Sequence, residues 1–109
     1  MTSLAEGWER VCARDEVTDG EMLEVELSDG SFVLLLGVDG DVIAVCADCP
    51  HQDTPLSEGS LDGRILTCPT HFWQWDVTTG EPHALAEMPL PRFEVAEHDG
   101  TIVVRPRPD

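Results

Sequence analysis

Two short stretches of this chain could do chemistry: Cys49-Pro50-His51 and, after sixteen intervening residues, Cys68-Pro69-Thr70-His71. Each pairs a thiol with an imidazole, and together they suit two kinds of metal site. One is a two-iron, two-sulfide cluster with thiolates on one iron and imidazoles on the other. The other is tetrahedral zinc, because Cys46-x2-Cys49, eighteen residues, then Cys68-x2-His71 falls within a zinc spacing window. In the zinc reading Cys46 binds and His51 is idle; in the iron reading the roles reverse. A zinc knuckle places two residues between its ligands so that both converge on one ion. A Cys-x-His arm is better suited to sending its two side chains to different irons. Spacing therefore favours Cys49 and Cys68 on the inner iron and His51 and His71 on the outer, with zinc as the alternative.

Charge explains why imidazole ligation matters. Two ferric ions, two sulfides and two thiolates sum to a formally neutral site, which becomes a monoanion on reduction. A cluster with four thiolates starts as a dianion, so an added electron meets more repulsion in a low-dielectric pocket.

The elements that must hold these arms read as strands. Segments 8–13, 22–27, 31–38, 41–46, 64–68, 73–77, 93–98 and 101–105 are short and rich in β-branched and aromatic residues. Turn signals separate them: Ser28-Asp29-Gly30, Asp39-Gly40, Asp62-Gly63, Thr79-Gly80 and Asp99-Gly100. No segment has a helical period. The expected fold is all-β, an antiparallel sandwich or barrel of one domain over residues 1–109, with cluster-binding loops at about 46–76. Each loop leaves a strand, and a turn from Gly59 to Gly63 is expected to fold one loop toward the other.

Other candidates have plainer readings. Burial of at least one of Trp73 and Trp75 is expected over a docking role. Cys12 reads as a small buried hydrophobe, and Cys46 as the end of a strand packed beside the metal centre. His83 and His98 read as solvated, and the sequence does not decide the roles of Asp53 and Glu58.

The chain holds 22 acidic residues against six arginines and no lysine, a net charge of −16. Such a field repels nucleic acid and anionic lipid, so neither partner is expected. Solubility, adaptation to salt, or steering of a carrier that visits two proteins in turn would account for it. The longest apolar run, Phe32 to Leu36, is too short to cross a bilayer, and the first residues lack a basic leader; a cytoplasmic location is expected.

Cys-Pro-His-Gln at 49–52, Pro55-Leu56-Ser57-Glu58-Gly59, Leu61-Asp62-Gly63, Ile65-Leu66-Thr67-Cys68, His71-Phe72-Trp73-Gln74-Trp75 and Thr79-Gly80 together resemble the Rieske-type [2Fe–2S] ferredoxins of bacterial multicomponent oxygenases. The likeness runs from about Trp8 to Arg105 and is nearest the ferredoxins of toluene and alkene monooxygenases. It implies a Rieske fold, a cluster held by Cys49, His51, Cys68 and His71, and an electron carrier with no catalytic residues. It also implies transient docking with a flavin-containing reductase and an oxygenase, most simply as a monomer. A diiron aromatic or alkene monooxygenase is the first expectation for the acceptor, and a ring-hydroxylating dioxygenase the second.

The chain departs from respiratory-complex Rieske proteins. It lacks their extra loop cysteines and contains no tyrosine, and Pro50 and Pro69 carry no N–H to donate. Fewer donors leave the reduced state less stabilised, so the expected potential lies toward the lower end of the Rieske range of about −150 to +300 mV.

Overall fold

Residues 8–28, 30–47, 56–69, 72–83, 86 and 89–106 are described in the computed structural model. Ten strands form: β1 Glu9–Ala13, β2 Met22–Glu26, β3 Phe32–Val38, β4 Asp41–Cys46, β5 Ser60–Asp62, β6 Ile65–Thr67, β7 Gln74–Asp76, β8 Glu81–His83, β9 Arg92–His98 and β10 Thr101–Pro106. Six of them make one antiparallel sheet in the order β1-β10-β9-β4-β3-β2, and β5-β6-β7-β8 make a second. The only helical pieces among the described residues are 3-10 turns at Arg14–Glu16 and Leu56–Glu58.

The larger sheet curls into a nearly closed barrel. A side chain ties its two edges together: the Glu9 carboxylate on β1 accepts the Ser28 N–H at 2.8 Å and the Ser28 hydroxyl at 3.0 Å, just past β2. Such a clasp satisfies edge groups that would otherwise be open to another chain. The β3–β4 and β9–β10 hairpins turn on Asp39-Gly40 and Asp99-Gly100, with positive φ at all four residues. That is the backbone Asp-Gly favours, because its twist matches that of the flanking strands.

The unbroken apolar run in β3 has a structural cause. Successive side chains on a strand point to opposite faces. Val33 and Leu35 enter the barrel core with Val17, Ala44, Ile102 and Val104. Leu34, Leu36 and Val38 enter a second core, between the sheets, with Val45, Ala47, Leu56, Leu66, Cys68, Trp73, Trp75, Val77 and Leu90. β3 is therefore buried on both faces and shows no apolar/polar alternation.

Two strands were not foreseen. Ser60–Asp62 falls where a turn was expected, and it pairs with β6 from Ser60↔Thr67 to Asp62↔Ile65, so the reversal narrows to residues 62–65. Glu81–His83 contains Pro82, which argues against a central strand; β8 lies at the edge of its sheet, where the missing N–H costs no ladder bond. The last strand runs one residue past the expected 101–105, to Pro106, while residues 107–109 lie outside those described.

Candidate metal centre

Both arms belong to loops whose ends are pinned by backbone hydrogen bonds. The first loop leaves β4 after Ala47 and is closed where the Leu56 N–H donates to the Ala47 carbonyl at 2.8 Å. Cys49, His51 and Asp53 fall within it, outside the described residues. The second loop leaves β6 at Cys68. There the Cys68 N–H donates to the Trp73 carbonyl at 2.8 Å and the Phe72 N–H donates to the Cys68 carbonyl at 3.2 Å. His71 also lies outside the described residues, so Cys68 is the one expected ligand whose surroundings can be stated.

Those surroundings fit an iron–sulfur group. Cys68 is 1% exposed and packs in the inter-sheet core with Leu56, Leu66, Trp73 and Trp75. An apolar floor of this kind suits a site that is formally neutral when oxidised. The described ends of the two loops also meet, at Gly59 and Thr67. Gly59, just past the first loop, donates its N–H to the Leu56 carbonyl at 2.9 Å. A Cβ at Gly59 would stand 2.0 Å from the Thr67 carbonyl oxygen and 3.2 Å from Pro69 Cδ. Only a residue without a side chain lets the exit of one arm rest on the entrance to the other.

Cys46 ends β4, as expected, but its side chain does not face the core that holds Cys68. In register it faces Val33, a barrel-core residue, and it lies two positions after Ala44, another. Strand alternation puts its side chain on the barrel face of β4, while Val45 and Ala47 face the inter-sheet core that holds Cys68. The half-buried Cys46 and the buried Cys68 thus lie on opposite sides of β4, which is unfavourable for a zinc site needing both. Among the described residues no group of three or more His, Cys, Asp or Glu side chains is placed to hold a metal.

Both tryptophans are core residues: Trp73 is 6% exposed, Trp75 is fully buried, and their rings meet edge to face at 6.1 Å between centroids. Phe72, which the sequence reading did not single out, is exposed, as is Phe32. A signal existed, since the apolar alternation through Trp73, Trp75 and Val77 leaves Phe72 off the inward face. Cys12 is half-buried against the barrel core; burial first, then nearby Glu16, pushes its thiol pKa up. Glu58 and His83 are exposed. His98 is only partly so, its Nε2 shielded from solvent and 3.6 Å from the Asp99 carboxylate. Asp76, at the end of β7, is held below the usual carboxylate range. The Thr78 hydroxyl donates to it at 2.5 Å and the Thr78 N–H at 3.0 Å, with Arg64 adding a favourable charge at 3.4 Å.

Two loop ends fixed by backbone hydrogen bonds beside a shared apolar core define a β-protein suited to holding a metal cluster between two short arms. The Rieske [2Fe-2S] domain family matches residues 7–94, and the chain belongs to it. It is 38% identical, over 86% of its length and 81% of the relative's, to the ferredoxin component of the p-cumate 2,3-dioxygenase system of Pseudomonas putida. The ferredoxin component of the alkene monooxygenase system of Xanthobacter autotrophicus is 35% identical over 90% of this chain and 80% of that one. The fold superposes with a TM-score of 0.87 on a chain from a complex of reduced oxygenase and oxidised ferredoxin in carbazole 1,9a-dioxygenase, at 29% identity, covering 96% of this chain and all (100%) of the other. The protein is thus an electron carrier with a Rieske-type [2Fe–2S] cluster, not a catalyst. Among the described residues no helix is long and apolar enough to cross a membrane.

Proposed function

We propose that this chain is one domain over residues 1–109 that carries single electrons from a flavin-containing, NAD(P)H-dependent reductase to an oxygenase. Cys49 and Cys68 hold the inner iron and His51 and His71 the outer, on the loops at about 46–76. The cluster supplies one-electron storage with little change in geometry. The protein holds the thiolate side against the apolar floor of Leu56, Leu66 and Trp73 and keeps water from it. It acts as a cytoplasmic monomer that visits donor and acceptor in turn.

The observation that carries this reading is the close approach of the loop ends at Gly59 and Thr67, with Cys68 on the inter-sheet side of β4 and Cys46 on the other. It supports ligation by one Cys-His pair from each loop. The motifs Cys-Pro-His-Gln and Leu-Ser-Glu-Gly favour a diiron aromatic or alkene monooxygenase as acceptor. The 38% identity to the p-cumate dioxygenase ferredoxin favours the second reading, a ring-hydroxylating dioxygenase.

Iron and acid-labile sulfide analysis together with electron paramagnetic resonance of the reduced protein tests the ligand set. Mixed nitrogen and sulfur ligation lowers the average g value relative to four thiolates, and His51→Ala or His71→Ala should abolish that signal. A zinc-loaded, colourless protein, or an unchanged spectrum in either variant, would overturn the assignment.

A further inference from the structure

Phe72 is 64% exposed, the more exposed of the two large apolar side chains in that state among the described residues; the other, Phe32, is 41% exposed at the start of β3. Its φ is +60°, a left-handed conformation that glycine takes freely and a bulky side chain takes against steric resistance. The fold gives Phe72 nothing in return, since its ring is not in either core. Its backbone is nonetheless fixed by the bonds from the Phe72 N–H to Cys68 and from the Cys68 N–H to Trp73. The loop turns Trp73 inward and holds the Phe72 ring in solvent, one residue after His71.

From this we infer that Phe72 is the apolar anchor by which the reduced carrier docks on its oxygenase, entering an apolar recess with a basic rim. The inference rests on the proposed electron route to an oxygenase. An aromatic side chain on a pinned loop loses little freedom on docking, so most of its buried area counts toward association. The rim follows from charge: Glu58, beside the abutting loops, is exposed, and so is Glu24, which accepts the Ser57 hydroxyl at 3.3 Å. An oxygenase surface presenting Arg or Lys around an apolar recess complements both features. Because Phe72 follows an expected outer-iron ligand, the residue that seats the partner also sets the electron-transfer distance.

The test uses cluster-loaded protein reduced by dithionite, with the oxygenase components of the p-cumate dioxygenase and alkene monooxygenase systems as acceptors. Oxygenase reduction is followed against carrier concentration. Phe72→Ala and Phe72→Gly should raise the half-saturating concentration about tenfold, as truncation of an interface anchor does. The maximal rate, midpoint potential and iron content should not change, and Phe72→Leu should recover most of the loss. Phe72→Gly should also melt no lower than the unmodified protein, because glycine accepts φ +60°, whereas a structural role would lower its melting temperature. An unchanged half-saturating concentration, a shifted midpoint potential, or a defect confined to reduction by the reductase would overturn the proposal. Should the unmodified protein reduce neither acceptor, the oxygenase reading itself fails and the proposal with it.

Discussion

Gly59→Ala tests the contact on which the metal centre depends. The added methyl would stand 2.0 Å from the Thr67 carbonyl oxygen and 3.2 Å from the Leu56 carbonyl oxygen. Both are backbone atoms, one in the Ser60↔Thr67 pair that opens the β5–β6 hairpin and the other in the 3-10 turn whose Leu56 side chain is fully buried. Neither can rotate away, so the loops must separate by more than an ångström to restore ordinary contact. Overpacking of this kind costs about 1 to 3 kcal/mol, and loss of the Gly59 N–H bond to Leu56 adds about 1 kcal/mol. Gly63→Ala is the control. Its φ is +60° but nothing lies within 4 Å of the added carbon, so only the backbone penalty of about 1 kcal/mol applies. Urea unfolding of the cluster-loaded proteins should show Gly59→Ala less stable by about 3 kcal/mol. It should also carry less iron per chain, while Gly63→Ala stays fully loaded. A Gly59→Ala protein with full iron and stability equal to that of Gly63→Ala would refute the abutment.

Cys46→Ser should retain two irons per chain, the full complement of a Rieske centre, whereas a zinc site using Cys46 would be lost; metal analysis decides. Asp76→Asn should lower stability at neutral pH by about 1 kcal/mol through its bonds to Thr78. Because the folded-state pKa of Asp76 is depressed, its contribution is present above the unfolded value of about 3.9 and is lost as pH falls through the folded one. Unfolding curves for Asp76→Asn and the unmodified protein should therefore converge as pH falls below the ordinary carboxylate range; a gap that persists in acid would refute the attribution. Raising ionic strength from about 0.01 to 0.15 M should raise the half-saturating carrier concentration for oxygenase reduction several-fold without changing the maximal rate. A flat profile would leave the acidic residues a solubility role alone.

Chemistry and scaffold were legible in the sequence to different depths. The Asp-Gly turns and the long strands are local signals, and 41–46 was read to the residue because hydrophobic pattern and turn chemistry agree there. β5 and β8 were missed because three-residue strands bearing Asp62, Glu81 and Pro82 exist only through their neighbours' hydrogen bonds, which a sequence does not display. Spacing singles out Cys68 as a candidate ligand, but its apolar floor draws on β3, β4, β6 and β7 at once. The face of Cys46 depends on strand register, and a shift of one residue would reverse it. Phe72 was obscured by composition: inside a run of aromatics, only the alternation through Trp73, Trp75 and Val77 sets it apart.

The position of the charge matters as much as its size. Asp15, Glu16, Asp19, Glu21, Asp39, Asp41, Glu97 and Asp99 are all exposed and gather at one end of the barrel. There the Arg14 N–H donates to the Gly100 carbonyl, the Gly20 N–H to the Gly37 carbonyl and the Gly40 N–H to the Asp19 carboxylate. Arg14 offsets part of this charge, bonding the Gly40 carbonyl at 2.7 Å and lying 3.9 Å from Glu97. β4 runs away from that end over six residues, from Asp41 to Cys46 at the entrance to the first loop, a rise of roughly 17 Å. That is about two Debye lengths at physiological salt, so these acids are largely screened from the metal centre and from any partner seated on Phe72. They raise the overall repulsion between carriers and keep them apart, while close-range selection of a basic rim falls to Glu24 and Glu58 at the loop end. Neutralising Asp39 and Asp41 together should therefore leave the salt dependence of docking nearly intact, whereas Glu24→Gln with Glu58→Gln should flatten it. The opposite pattern would mean that the far end, not the loop end, meets the oxygenase.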